Sequence, residues 1–216
     1  RHSFPTRRSS DLYIPKDFDQ LDAVEMFEEG DGQILIFTPA EMAEMLKHAD
    51  PKIVPALAIG AFAGLRRSEV MKLDWSEVSL SRRHITVSSA VAKKTKRGRQ
   101  RRIVPVVPNL LAWLSPFSKR SGRVIEMEED RYCELRIEAA DAAGFEWRKN
   151  ALRHSFISYR VAQVKDVAQV SLEAGNSPQV IFSNYRELVT PADAKRWFAI
   201  APKMAEKVVA MKEVSA

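Results

Sequence analysis

A single cysteine, Cys133, stands in 216 residues, so no disulfide can form within the chain and no cysteine-based metal cluster can be assembled. That scarcity fits a reducing compartment such as the cytoplasm, where Cys133 is expected as a small buried thiol. Long apolar runs are missing too. A membrane-spanning helix needs roughly 20 consecutive apolar residues, and the longest candidate, Ile53 to Leu65, is interrupted by Pro55, Gly60 and Gly64. A membrane role is therefore not expected. No internal repeat and no low-complexity tract occurs. What is present, 45% hydrophobic and 29% charged residues, suits a globular chain large enough for one sizeable core, with room for a remnant of a second domain.

Residues 1–12 read as a translated sequencing adapter and are set apart from the fold. That origin implies a reading frame cut upstream of Tyr13. Without Arg1, Arg7, Arg8 and Asp11 the formal charge falls from +6 to +4 for residues 13–216, which is only mildly basic. The distribution says more than the total. Lys93, Lys94, Lys96, Arg97, Arg99, Arg101 and Arg102 bring seven positive charges with no acid among them, and the remainder without these seven carries −3. Such a strip on a slightly acidic body is the electrostatic footprint of a nucleic-acid contact; the plainer alternative is a solvated charged hairpin.

Residues 13–36 mix acids with Gly30 and Gly32 and show little periodicity, as a linker or the tail of a lost domain would. A helix start follows at Thr38-Pro39-Ala40-Glu41, with a capping hydroxyl, proline at the first helical position and glutamate three residues after the cap. Apolar residues then dominate Pro51 to Leu73, where Gly64 is placed to end one helix and Arg67 or Ser68 to open the next. Arg66 falls at the corner between them. Val78 and Leu80, Ile85 and Val87, then Ile103, Val104 and Val106 suggest short strands around the basic turn, with Lys94 near its hairpin. Beyond Pro108 the pattern predicts helices at about 109–117, 130–143, 152–162, 164–174, 178–186 and 191–210, the last broken near Pro202.

Within this frame four residues suit phosphodiester chemistry that needs no metal. Arg66 and Arg153 offer planar guanidinium forks for nonbridging phosphate oxygens. Lys94 offers an ammonium on a flexible stem that can protonate a leaving oxygen, with Lys93 and Lys96 as competitors for the same role. Tyr185 offers a phenol able to attack phosphorus and to leave again. Gly64-Leu65-Arg66-Arg67-Ser68-Glu69-Val70, Leu152-Arg153-His154-Ser155-Phe156, and Gly175-Asn176-Ser177 followed by Asn184-Tyr185-Arg186 resemble, in order and spacing, the boxes of tyrosine recombinases, the phage-integrase family. The likeness spans roughly residues 36–200.

The resemblance implies an α+β, mainly α-helical fold, an integrase-like catalytic domain over 37–200 with a small antiparallel β-sheet packed on a helical bundle. Residues 13–36 would then be a linker or remnant of an N-terminal DNA-binding domain, and 201–216 a helical tail. By the same resemblance Arg66 and Arg153 hold the scissile phosphate, Glu69 braces Arg66, Lys94 protonates the leaving 5′ oxygen or contacts the minor groove, and Tyr185 forms a 3′-phosphotyrosyl bond. Lys93, Lys96, Arg97, Arg99, Arg101 and Arg102 supply DNA phosphate contacts, and Arg67 is left to solvent or DNA backbone. Double-stranded DNA is the implied partner, a homotetramer the implied assembly, and neither a metal nor a small-molecule cofactor is called for.

Two positions depart from the family pattern. Asn150 and Asn176 stand where histidines are usual; asparagine can still donate a hydrogen bond but cannot exchange a proton, which removes a contribution of typically about a hundred- to ten-thousand-fold at Asn150. His154 is expected to pack or hydrogen-bond at the helix start rather than to act as a general acid. The implied activity is site-specific strand cleavage and rejoining, slowed or retuned. The alternatives are a non-catalytic DNA-binding relic and a site-independent DNA-relaxing enzyme.

Overall fold

The computed structural model describes residues 34–92, 94–95, 98–99, 101–185 and 188–202. Helix α1, Pro39–His48, begins as its sequence requires: the Thr38 hydroxyl accepts from the Glu41 amide at 3.2 Å and the Glu41 carboxylate reaches back to the Thr38 amide at 2.7 Å. Its apolar stripe of Met42, Met45 and Leu46 is buried. Just before it, the buried Phe37 is fixed to a distant helix, its amide donating to Ser155 Oγ at 2.8 Å and its carbonyl accepting from Tyr159 Oη at 3.0 Å.

Helix α2, Val54–Ala63, is apolar on every side and buried from Pro55 onward, which is the signature of a core helix rather than a surface one. It stops at Gly64, whose φ of 64° is left-handed and whose missing side chain leaves room for the Phe156 ring. The short helix α3, Arg67–Val70, follows at once. Three antiparallel strands then form a sheet in the order β1 (Val78–Ser79), β2 (His84–Val87) and β5 (Arg102–Pro105), with Val78 and Val104 both opposite Ile85. Val78, Ile85, Val87 and Val104 enter the core while Ile103 on the other face is exposed, the alternation expected of a half-covered sheet. Strands β3 (Lys94–Thr95) and β4 (Gly98–Arg99) make a separate two-stranded hairpin.

Helix α4 spans Pro108–Leu114 and tightens into a 3-10 turn at Ser115–Phe117; α5 spans Glu129–Ala142, α6 Ala151–Val164, α7 Val167–Ala174, α8 Pro178–Tyr185 and α9 Pro191–Trp197. Helix α2 packs against α4 and α6, and α9 closes over α6. Trp197 anchors that closure: its ring stacks on Tyr159 at 4.4 Å, meets Phe62 edge-on at 5.8 Å and donates its indole N–H to the Ala61 carbonyl at 3.1 Å.

The helix expected from residue 164 starts later, because Lys165 is left-handed (φ 57°) and Asp166 caps the new helix through the Gln169 amide. The helix expected over 191–210 ends at Trp197, and Ile200 is tied instead to α4 by Trp113 Nε1 at 3.0 Å; residues 203–210 lie outside the described residues. Cys133, expected to be buried, is partly exposed and lies 2.9 Å from an Arg136 guanidinium nitrogen. No helix among the described residues is long and apolar enough to cross a membrane.

Candidate active site

The site grows from the corner between α2 and α3. Arg66 adopts an extended conformation immediately before α3 (φ −67°, ψ 150°), and its amide donates to Glu69 Oε2 at 2.8 Å. One carboxylate thus fixes both the helix start and the Arg66 side chain, whose Nη1 donates to Glu69 Oε1 at 3.2 Å. Glu69 is wholly buried and takes a second guanidinium head-on: Arg102 donates to Oε1 at 3.0 Å and to Oε2 at 2.7 Å. Burial pushes this carboxyl pKa up, but the Arg102 hydrogen bonds and charge, together with the Arg66 amide and charge, outweigh it and hold the pKa at about 2.

Arg153 arrives from the first turn of α6, where its Nη1 donates to the Gly64 carbonyl and its Nη2 to the Ala174 carbonyl, both at 2.6 Å. The C-terminal turn of α7 therefore meets three arginines on three consecutive carbonyls: Glu173 accepts from Arg102 at 2.9 Å, Ala174 from Arg153, and Gly175 from Arg66 at 2.9 Å. A helix C-terminus carries partial negative charge and unsatisfied carbonyls, so it is a natural seat for cations. Gly175 permits this by turning left-handed (φ 67°) as the cap. The next residue joins Arg66 and Arg153 directly, since Asn176 Oδ1 accepts from Arg66 at 3.0 Å and from Arg153 at 2.7 Å.

Two of the three guanidiniums, Arg66 and Arg102, share the Glu69 carboxylate, while Arg153 is held by carbonyls and Asn176 and Glu173 is engaged separately by Arg160 at 2.9 Å. The cluster keeps an excess of positive charge. Burial first, and then the cations Arg66 and Arg102, lower the Arg153 pKa to about 9, which leaves it charged at neutral pH. An arriving anion with several oxygens would relieve that crowding.

Tyr185, the last residue of α8, is 5% exposed and sits with Phe156, Ile157, Val161, Val170, Ala174 and Ile181 in a small apolar cluster of its own. Its hydroxyl lies 2.7 Å from His154 Nδ1, and the two rings stack at 5.6 Å with 28° between their planes. The same apolar cluster includes Ala174, whose carbonyl accepts from Arg153, so the tyrosine seat adjoins the cationic cluster.

The structure thus brings Arg66, Glu69, Arg153, Asn176 and Tyr185 into one neighbourhood. Asn150 does not join their hydrogen bonds: it precedes α6 in a left-handed conformation (φ 59°), is exposed, and makes no side-chain cap bond. Arg102 departs from expectation. Read as a solvent-facing phosphate contact, it has a side chain only 6% exposed and is an internal brace for Glu69, because β5 runs beside α7 and turns that position inward. Arg101 next to it is exposed as expected, and Arg67 forms a surface ion pair with Glu129 at 2.9 Å. Lys94 and Arg99 are placed by their backbones as partners across the β3–β4 hairpin; Lys93, Lys96 and Arg97 lie outside the described residues.

Sequence reasoning missed the engagement of His154 with Tyr185 and the internal role of Arg102. The first left a faint signal: His154 is one turn beyond Asn150 on the same helix. The second left none, since a basic run gives no sign of which member turns inward.

No protein-family model matches the chain, and no curated protein is significantly similar to it in sequence. Solved structures are similar in fold. The XerA recombinase superposes with a TM-score of 0.60 at 14% identity over 79% of this chain and 64% of its own. The catalytic domain of bacteriophage HP1 integrase gives 0.52 at 19% identity over 84% of this chain and 97% of that domain. The Tn1549 transposon integrase, solved in complex with circular intermediate DNA, gives 0.56 at 17% identity over 83% of this chain and 70% of its own. The chain thus spans less than two thirds of the XerA recombinase and nearly all of the isolated HP1 domain. Its fold is that of the catalytic domain of tyrosine recombinases and integrases, α+β with a small antiparallel sheet on a helical body.

Proposed function

We propose that this chain cleaves and rejoins DNA strands as a site-specific recombinase, through a covalent 3′-phosphotyrosyl intermediate at Tyr185. The observation that carries the reading is the meeting of Arg66 and Arg153 on the single oxygen of Asn176, with Tyr185 in the apolar cluster of Ala174, whose carbonyl accepts from Arg153. Two forks converging on one acceptor are arranged to receive two nonbridging oxygens of a phosphodiester, whose negative charge grows in the transition state. Glu69 and Arg102 hold Arg66 in place. Asn176 serves as an acceptor for the forks in the free protein and can offer its amide N–H to a bound phosphate. Lys94 protonates the leaving 5′ oxygen from the hairpin, and the basic strip around it contacts the backbone of double-stranded DNA; the similar Tn1549 transposon integrase was solved with circular intermediate DNA. A homotetramer on two duplexes is the corresponding assembly.

The test is covalent trapping. The full chain is incubated with a pool of nicked duplexes of randomised sequence, and protein–DNA adducts that survive denaturation are isolated and sequenced. Adducts formed by wild type and abolished by Tyr185→Phe are expected, and their sequences would define the substrate. DNA retention without any adduct would replace the enzyme with a DNA-binding relic, which the two asparagines at the usual histidine positions make the specific competing reading. Adducts spread over all sequences, with relaxation of supercoiled plasmid, would replace it with a DNA-relaxing enzyme.

A further inference from the structure

Tyrosine attack on phosphorus releases a phenolic proton, since a phenol with an ordinary pKa near 10 is protonated at neutral pH. Asn150 cannot accept it, being an amide, exposed, and outside the hydrogen-bonded cluster. The clamp arginines are cations and cannot accept it either. One turn further along α6, His154 places Nδ1 at 2.7 Å from the Tyr185 hydroxyl, with the rings stacked at 28°. Imidazole is the one side chain that ordinarily gains and loses a proton near neutrality, and this distance is within reach for a proton acceptor.

Resting on the strand-cleavage reading above, we propose that His154 is a catalytic residue, the general base that accepts the Tyr185 proton. Neutral His154 carries its hydrogen on Nε2 and presents the Nδ1 lone pair to the phenol. As the Tyr185 oxygen bonds to phosphorus, its proton passes to Nδ1, the bond from phosphorus to the 5′ oxygen breaks, and the leaving oxygen takes a proton from Lys94. On rejoining, the 5′ hydroxyl attacks, returns its proton to the neutral lysine, and the departing phenolate recovers its own from the imidazolium. Protons and electron pairs balance over the cycle, and no further reactant is needed. The base function missing at Asn150 is thereby supplied from the same helix.

The experiment uses a substrate recovered from the wild-type adduct pool, made in two versions, one with the natural 5′ oxygen and one with a bridging 5′ sulfur. A thiolate leaves without protonation, so the sulfur version bypasses the lysine but still requires the phenol to lose its proton. His154→Ala is expected to slow single-turnover adduct formation about a hundredfold or more on both versions, and added imidazole is expected to restore much of it. His154→Gln keeps a hydrogen bond to the phenol but cannot take up a proton, so it should remain as slow as alanine. Lys94→Ala should be slow on oxygen and near wild type on sulfur. Thermal melting of each variant separates slow chemistry from poor folding. A glutamine variant near wild-type rate, or an alanine variant that imidazole does not rescue, overturns the assignment while leaving the recombinase reading intact. Absence of any wild-type adduct overturns both.

Discussion

The arginine cluster and the tyrosine seat lie side by side and are built on opposite principles. Around Glu69 each guanidinium is held by charge and by fixed carbonyls, with Arg102 gripping both carboxylate oxygens and Arg153 bridging Gly64 and Ala174. Around Tyr185 the neighbours are aliphatic and aromatic side chains of α6, α7 and α8, with a histidine at the hydroxyl. Buried charges tolerate little displacement, because any partner lost leaves an uncompensated ion. Apolar contacts are non-directional, so a helix seated on them shifts at smaller cost. Under the proposed strand-cleavage function, the contrast would suit a division of labour in which the arginine half is prepared in advance and the tyrosine keeps some freedom.

Four substitutions test that contrast. The largest effect is expected from Tyr185→Phe, which should remove covalent adduct formation entirely while lowering stability by only about 1 kcal/mol through the lost hydrogen bond; denaturant titration beside the trapping assay checks both. If that change instead unfolded the protein, the tyrosine seat would be as tightly determined as the cluster.

Next comes Glu69→Gln, expected to cost about 3 to 5 kcal/mol because two guanidiniums lose their buried counter-charge. This carboxyl has a folded pKa of about 2 against an ordinary 4.5. Its contribution, about 3 kcal/mol by linkage, is therefore fully present above pH 4.5 and is lost as pH falls from there towards 2. Stability measured across that window should drop steeply in wild type and less steeply in Glu69→Gln.

Gly64→Ala should cost about 2 to 4 kcal/mol, since the residue is left-handed and a Cβ there would run into the Phe156 ring. Phe156 belongs to the tyrosine seat and the Gly64 carbonyl to Arg153, so both halves should loosen together. The smallest effect is expected from Arg101→Ala, an exposed change outside both halves. It should leave melting within about 0.5 kcal/mol and reduce the salt dependence of DNA retention by about one counterion.

Legibility in the sequence followed the same division. Thr38 with Glu41, and Gly64 as a left-handed cap, behave as their local chemistry requires. The order of Arg66, Arg153, Asn176 and Tyr185 along the chain foreshadowed a shared site. The internal turn of Arg102 was hidden, because a run of basic residues looks alike whether each faces solvent or one is drawn inward by a buried acid. His154 was hidden for a related reason: its partner is 31 residues away, on another helix.

Readable from the sequence alone was what acts within a turn or two of chain: the capped start at Thr38, the stop at Gly64, which strand faces are apolar, and which residue types are available for chemistry. The tertiary structure decided what depends on packing between elements. It set Glu69 between Arg66 and Arg102, the latter 33 residues away, aimed both clamp arginines at Asn176, and laid α8 against α6 so that a histidine meets the phenol. Capping and φ preferences are local energies, whereas burial of charge and the approach of one side chain to another are fixed only when the core closes.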